Sequence, residues 1–171
     1  MILVRHAESE WNHHFSRTRI DPGIGDPALT ELGRTQAARL TERLAAEGVT
    51  RLLASPYRRT LETASIVARE LDLSITVEPL VRERCVFSCD LGTPRSRLVE
   101  LWPGLDFSGL EECWWGGPTE SEASLNRRAA MFRRRIAETP NRSTLAVVTH
   151  WGFIRALTGE EVANAACVRS G

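Results

Sequence analysis

The chain has 171 residues, a length typical of one domain, and we expect a single domain over residues 1–171. Hydrophobic residues make up 42% and charged residues 26% of the sequence, which excludes the disordered, coiled-coil and collagen-like classes. The formal net charge is zero, and because the chain contains no lysine, its 22 basic residues are all arginines. This composition gives no overall attraction to nucleic acid or an anionic membrane, excludes Schiff-base and P-loop lysine chemistry, and leaves arginine to hold any anion.

The N-terminus and the cysteines indicate the compartment. Residues 1–5 do not form a basic segment followed by a long apolar stretch, and no later apolar run reaches membrane-spanning length. We therefore expect a cytoplasmic protein with no membrane partner and with reduced thiols at Cys85, Cys89, Cys113 and Cys167. Cys85 and Cys89 could begin a metal site, but no second close pair of Cys or His residues completes one, so the sequence favours no metal.

The first third of the chain predicts two strands and a helix. The apolar run at residues 2–5 is too short for a helix and suits a buried strand. Thr30 can cap a helix that ends near Gly48, because its apolar positions follow helical spacing, at Leu32, Ala37, Leu40 and Leu44. Residues 51–54 then predict a second buried strand.

The remainder of the chain predicts two more strands and three more helices. Ser55 followed by Pro56 is typical of a helix start, and a short strand at 74–77 follows that helix. The segment 119–122 has capping-box spacing before a helix whose apolar face is Leu125, Ala129, Phe132 and Ile136. A strand at 145–148 ends just before His150, and a short helix after it carries Phe153, Ile154 and Leu157.

This alternation of strands and helices predicts an α/β fold with a largely parallel sheet covered by helices. Residues 83–118 break the rhythm with repeated Gly and Pro, and we expect an irregular lid or substrate loop there. The tryptophans of this segment, Trp102, Trp114 and Trp115, are expected to anchor it on the body of the protein rather than to stack on a ligand.

Two distant histidines are predicted to share one site. His6 and His150 each follow a buried strand, and ligands of open α/β sheets bind beyond the carboxyl ends of the strands. Arg5 adjoins His6, and Arg59 lies in the first turn predicted after Ser55, where helix N–H groups also favour anions. Imidazoles and guanidiniums around one space are suited to a tetrahedral phosphate.

Four segments in the same order resemble the signatures of the histidine phosphatase superfamily, which includes the phosphoglycerate mutases. They are residues 3–12 (LVRHAESEWN), 26–33 (DPALTELG), 55–60 (SPYRRT) and 148–150 (VTH). The resemblance spans nearly the whole chain and implies a three-layer α/β/α sandwich. Ala7 replaces the glycine of the commonest form, and Trp151 stands where a small residue often follows the second histidine, which could narrow or shift the entrance of the pocket.

The resemblance also implies the roles of individual residues. His6 would be the nucleophile that forms a phosphohistidine, and Arg5, Arg59 and a protonated His150 would bind the phosphoryl group. Asn12 matches a position that often joins the phosphate pocket, although it could equally be a turn residue bonded to nearby backbone. Glu83 resembles the acid that protonates the leaving group, for which it needs a raised pKa. No metal or cofactor is implied.

Three functions are compatible with these residues. We expect hydrolysis of a small-molecule phosphate monoester, since no obvious extra segment seals the site against water, as a mutase requires. The alternatives are phosphoglycerate mutase-type transfer and a non-catalytic sensor of a phosphorylated ligand. The substrate and the oligomeric state stay open at this stage.

Several charged residues have simpler explanations than catalysis. Glu8 is expected to tie down the loop after the first strand, and Arg84, Arg95 and Arg97 to form either ion pairs or substrate contacts. The densest basic run is expected to be the solvated face of a helix rather than a nucleic-acid contact, and consists of Arg127, Arg128, Arg133, Arg134 and Arg135.

Overall fold

The computed structural model describes residues 1–170, and its regular elements alternate along the chain as the sequence predicts. The strands are β1 (Ile2–Arg5), β2 (Arg51–Ala54), β3 (Ile75–Val77), β4 (Leu145–Thr149) and β5 (Cys167–Arg169). The α-helices are α1 (Glu10–Thr18), α2 (Glu31–Ala46), α3 (Arg58–Leu71), α4 (Arg95–Leu101), α5 (Glu122–Ala137) and α6 (Trp151–Thr158). None of the helices in residues 1–170 combines the length and apolar character needed to cross a membrane.

The strands form one sheet in the order β3-β2-β4-β1-β5. The first four run parallel, and β5 pairs antiparallel with β1 at one edge. Parallel neighbours need crossover connections, which the helices between them supply. The expected α/β fold with a largely parallel sheet is confirmed.

Helices cover both faces of the sheet, each over its own apolar core. On one face, α2, α3 and α4 pack against strand residues such as Val4 and Val148. On the other face, α5 and α6 pack against Leu3 and Val147, the alternate residues of the same strands. Because successive side chains of a strand point to opposite faces, buried strands with no polar alternation indicate this covering on both sides. The fold is therefore the expected three-layer α/β/α sandwich.

Two predicted helix starts are wrong. Helix α3 begins at Arg58 rather than after a Ser55 cap, with Tyr57 in the N-cap position and no side-chain cap. The N-cap of α5 is Ser121, whose side chain accepts a hydrogen bond from the Ser124 amide, and the capping-box start at Thr119 does not form. The displacement of the α3 start leaves the Ser55 hydroxyl free for another partner, described below.

The sequence does not predict α1, α4 or β5. Helix α1 has only one buried residue, Trp11, so its apolar periodicity is weak. Helix α4 lies inside the segment 83–118, which is less irregular than expected and also contains a 3-10 helix at Ser88–Asp90. Trp114 of this segment is buried in the core, and Trp102 and Trp115 pack against it, as anchors of the segment should.

The loop after β1 is held by the start of α2. Thr30 caps α2, and its backbone amide and hydroxyl both donate to Glu8, at 3.0 Å to the carbonyl and 2.7 Å to the carboxylate. Glu8 thus ties down the loop, as expected from the sequence. Gly33, in the first turn of α2, lies so close to the backbone of Glu8 that an added Cβ would overlap the Glu8 carbonyl oxygen.

We predict that Gly33→Ala lowers the free energy of unfolding by about 1–3 kcal/mol, because the backbone of the loop must move to admit the methyl group. The control is Gly104→Ala, where an added Cβ meets nothing within 4 Å. Urea denaturation of both variants measures the difference. Equal midpoints for Gly33→Ala and the wild type would contradict the close approach.

Candidate active site

The site lies where three neighbouring strands end. In the pairing of β1 with β4, Arg5 lies opposite Thr149, so His6 and His150 follow the two strands side by side. The His6 amide donates to the Thr149 carbonyl at 2.9 Å, and the Ser55 amide, just after β2, donates to Val148 at 3.0 Å. The parallel register therefore brings both predicted histidines to one edge of the sheet, and their ring centroids are 5.2 Å apart.

A cavity of about 590 Å³ opens at this edge. Five of the six predicted site residues line it, and they are Arg5, His6, Asn12, Arg59 and Glu83. His150 is fully buried and is not among the lining residues. The remaining lining residues come mainly from α1, from residues 84–90 and from the start of α6.

His6 has one ring nitrogen fixed by the backbone. Its Nδ1 lies 2.8 Å from the Ala7 carbonyl oxygen, and because a carbonyl only accepts, Nδ1 carries the proton. This tautomer leaves the lone pair on Nε2. Burial, together with the charges of Arg59 and Arg5, lowers the pKa of His6 well below its ordinary value, so the ring is neutral. A neutral imidazole with a free Nε2 is the form that acts as a nucleophile.

Arg5 keeps an unused donor beside His6. One of its terminal nitrogens donates to the Val162 carbonyl at 2.6 Å, whereas its buried Nε has no acceptor among residues 1–170. Buried donors without a partner are costly, and Arg5 as a residue lines the cavity. Its role as a phosphate ligand stays a prediction.

Arg59 is held by a carboxylate that the sequence did not identify. Its buried guanidinium donates to the Cys89 carbonyl at 2.6 Å and to Asp90 at 3.1 Å, and it lies 4.4 Å from the centre of the Tyr57 ring. Asp90 is 2% exposed and also accepts the amides of Val86 and Phe87. A buried guanidinium needs such a partner, which fixes its position in the cavity wall.

His150 lies behind His6 rather than in the cavity wall. Its Nε2 is 2.8 Å from the Ser55 hydroxyl, which is free because Ser55 does not cap α3. The Tyr57 ring packs edge-on against it at 5.0 Å. Burial and the charge of Arg59 lower the pKa of His150 well below its ordinary value, so the ring is neutral in the protein without a bound phosphate. A phosphate dianion nearby would oppose this shift. The protonated His150 that the resemblance implies belongs to the phosphate-bound state.

The Glu83 carboxylate is positioned by two backbone amides. One oxygen accepts from the Gly152 amide at 3.0 Å and the other from the Arg84 amide at 2.9 Å. Burial, reinforced by the negative charge of Asp90, raises the pKa of Glu83, although both amide donors oppose the shift. A carboxyl with a raised pKa in the cavity wall has the property that the predicted proton donor requires.

Gly152 is required by this arrangement. An added Cβ at residue 152 would overlap Oε1 of Glu83, so only glycine allows the carboxylate to reach the backbone amide. Trp151, which stands where the superfamily often has a small residue, lines the cavity next to Gly152. The Arg155 guanidinium lies 5.3 Å from the centre of its ring. Trp151 thus forms part of the wall beside Glu83.

The prediction of a solvated arginine face on α5 is wrong for Arg128. This residue is 5% exposed and pairs with Glu120 at 2.5 Å. Its guanidinium also donates to the backbone carbonyls of Leu80 and Arg82, at 2.8 and 2.7 Å, and so holds the segment that leads into Glu83. Arg128 lies three residues after Leu125 on the core face of α5, and this spacing is the signal that could have identified it.

Asn12 lines the cavity and also performs the local role that the sequence left open. Its side-chain oxygen accepts from the Ser9 amide and hydroxyl in a capping box that starts α1. The same oxygen accepts from Asn164 at 3.1 Å, and Asn164 also donates to the His6 carbonyl. Asn164 is a cavity residue that no sequence motif indicated, because it lies 158 positions from His6.

The other candidates are explained by contacts outside the reaction centre. Arg95 pairs with Glu112 and Arg97 with Glu100, both on the surface. Cys85 and Cys89 are buried free thiols, and burial raises the pKa of Cys85 to about 11. In residues 1–170, no three Cys, His, Asp or Glu side chains are grouped as a metal site would require.

Taken together, the sheet edge carries a neutral histidine with a free nitrogen, two arginines and a carboxyl with a raised pKa. In an α/β protein, a group of side chains of this kind at the carboxyl edge of the sheet is suited to phosphoryl transfer. The sequence model of the histidine phosphatase superfamily (branch 1) matches residues 1–163, and the chain belongs to this superfamily. It is an enzyme of the histidine phosphatase type, and the resemblance found in the sequence is confirmed.

Known proteins similar to this chain include phosphatases and probable phosphoglycerate mutases. It is 33% identical over 165 residues to phosphoserine phosphatase 1 of Hydrogenobacter thermophilus, which covers 92% of this chain and 73% of that protein. It is 30% identical over 160 residues to a probable phosphoglycerate mutase of Yersinia enterocolitica. That alignment covers 88% of this chain and 68% of the mutase. A mycobacterial glucosyl-3-phosphoglycerate phosphatase structure superimposes with a TM-score of 0.69 over 98% of this chain and 88% of the other, at 22% identity, which bears on the fold alone.

We predict that Gly152→Ala impairs proton donation more than phosphate binding, because the added methyl group displaces the Glu83 carboxyl. Turnover of an alkyl phosphate should fall by on the order of 100-fold, whereas p-nitrophenyl phosphate, whose leaving group needs no proton, should lose much less. Steady-state kinetics with both esters measures the contrast. Gly109→Ala is the control, since an added Cβ there meets nothing within 4 Å. Equal losses on both esters would contradict the role given to this contact.

We also predict a shift in the pH profile of Asp90→Asn. A proton donor is lost as the pH rises through its pKa, and the charge of Asp90 raises the pKa of Glu83. Removal of this charge should therefore move the alkaline limb of kcat/KM for an alkyl phosphate to lower pH. Glu100→Gln, an exposed carboxylate paired with Arg97 on the surface, is the matched control. An unmoved or upward-shifted limb in Asp90→Asn would show that Asp90 does not tune the donor.

Proposed function

We propose that this protein is a metal-independent phosphatase that hydrolyses a small phosphate monoester through a phosphohistidine on His6. The observation that carries the proposal is the His6 ring, neutral and with Nδ1 bonded to the Ala7 carbonyl, in a cavity that Arg5, Arg59 and Glu83 also line. A small-molecule ester as partner and a cytoplasmic location stay predictions.

In the first step, Nε2 of His6 attacks phosphorus and forms the N–P bond while the bond from phosphorus to the leaving oxygen breaks. Arg5, which lines the cavity, and Arg59, fixed by Asp90, stabilise charge on the equatorial oxygens. Protonated Glu83 transfers its proton to the leaving oxygen, so an alcohol departs and a carboxylate is left.

In the second step, water replaces the alcohol. Glu83, now a carboxylate, takes a proton from water as the water oxygen attacks phosphorus and the N–P bond breaks. The products are inorganic phosphate and neutral His6, and Glu83 is protonated again. His150 lies next to His6, and a bound dianion raises its pKa, so a protonated His150 would offset the negative charge of the phosphoryl group.

Hydrolysis is favoured over mutase-type transfer by the open end of the cavity. A mutase must protect its phosphohistidine from water, yet two residues that line this cavity are well exposed, Val86 at 47% and Phe87 at 40%. The relative from Hydrogenobacter thermophilus is named a phosphatase, and the one from Yersinia enterocolitica a probable mutase, so both reactions remain within the family. A non-catalytic sensor is the least supported alternative, since it needs neither the free Nε2 nor a carboxyl with a raised pKa.

The expected result of a direct assay is release of inorganic phosphate from p-nitrophenyl phosphate and from alkyl phosphates by the wild type. His6→Ala should lose at least about 1,000-fold in kcat, because no other nucleophile replaces Nε2. His13→Ala, the same substitution at a histidine outside the cavity wall, is the control. Interconversion of phosphoglycerates without phosphate release would support the mutase, and binding of phosphate without any turnover would support the sensor.

A further inference from the structure

Three aromatic rings form a continuous surface in the wall of the cavity, away from the sheet edge. We call Trp11, Phe15 and Phe87 the aromatic wall. The Trp11 and Phe15 rings stack with centroids 4.4 Å apart and an interplanar angle of 14°, and Phe87 lies 5.1 Å from Trp11 and 5.4 Å from Phe15. All three residues line the same cavity as His6 and Glu83.

The aromatic wall is fixed by polar contacts on its outer side. The indole nitrogen of Trp11 donates to Asp21 at 2.9 Å, and Asp21 also accepts the Ser88 amide at 2.9 Å. Asp21 therefore links α1 to the segment that carries Phe87. The Phe87 amide in turn donates to Asp90, the carboxylate that holds Arg59. The rings are thus set in position relative to the phosphate side of the cavity before any ligand binds.

The aromatic wall leaves apolar surface open to the cavity. Phe87 is 40% exposed and its neighbour Val86 is 47% exposed. Trp11 is 7% exposed, and the rings of Phe15 and Phe87 pack against it. Exposed aromatic surface inside a concave site that also contains catalytic groups is typical of a ligand-binding surface. Stacking of a flat ring on this surface would remove it from water.

The cations of the cavity are mostly engaged. Arg59 pairs with Asp90, Arg5 donates to Val162, and Arg84 pairs with Glu122 at 3.0 Å and donates to the Glu120 carbonyl. Among the cavity arginines in residues 1–170, only Arg19 has neither a carboxylate nor a carbonyl partner, and it lies over the Phe15 ring at 5.9 Å. The arginines next to His6 are needed for the phosphoryl group. The part of the cavity away from His6 is therefore lined more by aromatic side chains than by charged ones.

We infer that the aromatic wall is the leaving-group subsite and that the substrate class is a phosphate monoester of an alcohol or phenol bearing a flat aromatic group. This inference rests on the proposed phosphatase function and adds the identity of its substrate class. The phosphoryl group binds at His6, the ester oxygen faces Glu83, and the ring packs against Phe15 and Phe87. Small polar phosphoacids leave this surface uncovered and are poorer substrates.

The test uses two esters whose leaving groups both need a proton and differ only in the ring, 2-phenylethyl phosphate and ethyl phosphate. We expect kcat/KM of the wild type to be at least about tenfold higher for the phenylethyl ester. This is the effect expected from burying the apolar surface of one phenyl ring. Phe87→Ala and Phe15→Ala should each reduce this preference severalfold, because only the phenylethyl ester has a ring to place on the aromatic wall.

The matched control is Met131→Ala, an apolar truncation at a residue of α5 that is 49% exposed and outside the cavity wall, and it should keep the full preference. A wild-type far-UV circular dichroism spectrum and urea midpoint show that each variant is folded. If the wild type shows no preference, or if both phenylalanine variants keep it, the inference is overturned and the phosphatase function stands. If neither ester nor p-nitrophenyl phosphate is hydrolysed by the wild type, the phosphatase function fails and the subsite with it.

Discussion

The parallel pairing of β1 with β4 is the constraint on which the rest of the site depends. Its register places Arg5 opposite Thr149, so the two chain segments that leave the sheet begin with His6 and His150 side by side. The pairing buries β4 and all of β1 except Arg5 between two helical layers, and a slip of one residue would turn each side chain to the opposite face. The apolar alternation of Leu3 and Val4 between the two cores therefore also fixes the position of His6.

Two buried guanidinium–carboxylate pairs set the charges around this edge. Arg59 with Asp90 forms one side of the cavity, and Arg128 with Glu120 holds the backbone that leads to Glu83. Buried ion pairs contribute little net stability, because desolvation offsets their attraction, but the loss of one partner is costly. Their value here is positional, since both pairs also bind backbone carbonyls or amides. Burial and the charges of Arg59 and Arg5 keep His6 neutral, and burial together with the charge of Asp90 raises the pKa of Glu83.

The sequence predicted the sheet edge well, because buried strands have a clear apolar pattern and parallel strands share their carboxyl edge. Both histidines, Arg5 and Arg59 followed from that rule together with four ordered motifs. Asp90 could not be predicted, since it lies 31 residues after Arg59 in a segment without periodicity. The partnership of Ser55 with His150 was also missed, because a serine before a proline is typical of an N-cap. Arg128 was assigned to a solvated face although its spacing from Leu125 placed it toward the core.

The central claim is that phosphorus becomes bonded to His6 during turnover, and rapid-quench trapping with a radiolabelled phosphate ester tests it most directly. We expect a label that is stable to alkali and labile to acid, as an N–P bond is, to appear within one turnover on the peptide that contains His6 and to decay as phosphate is released. A label on another residue, or hydrolysis at the wild-type rate with no labelled protein at any time, would contradict the account.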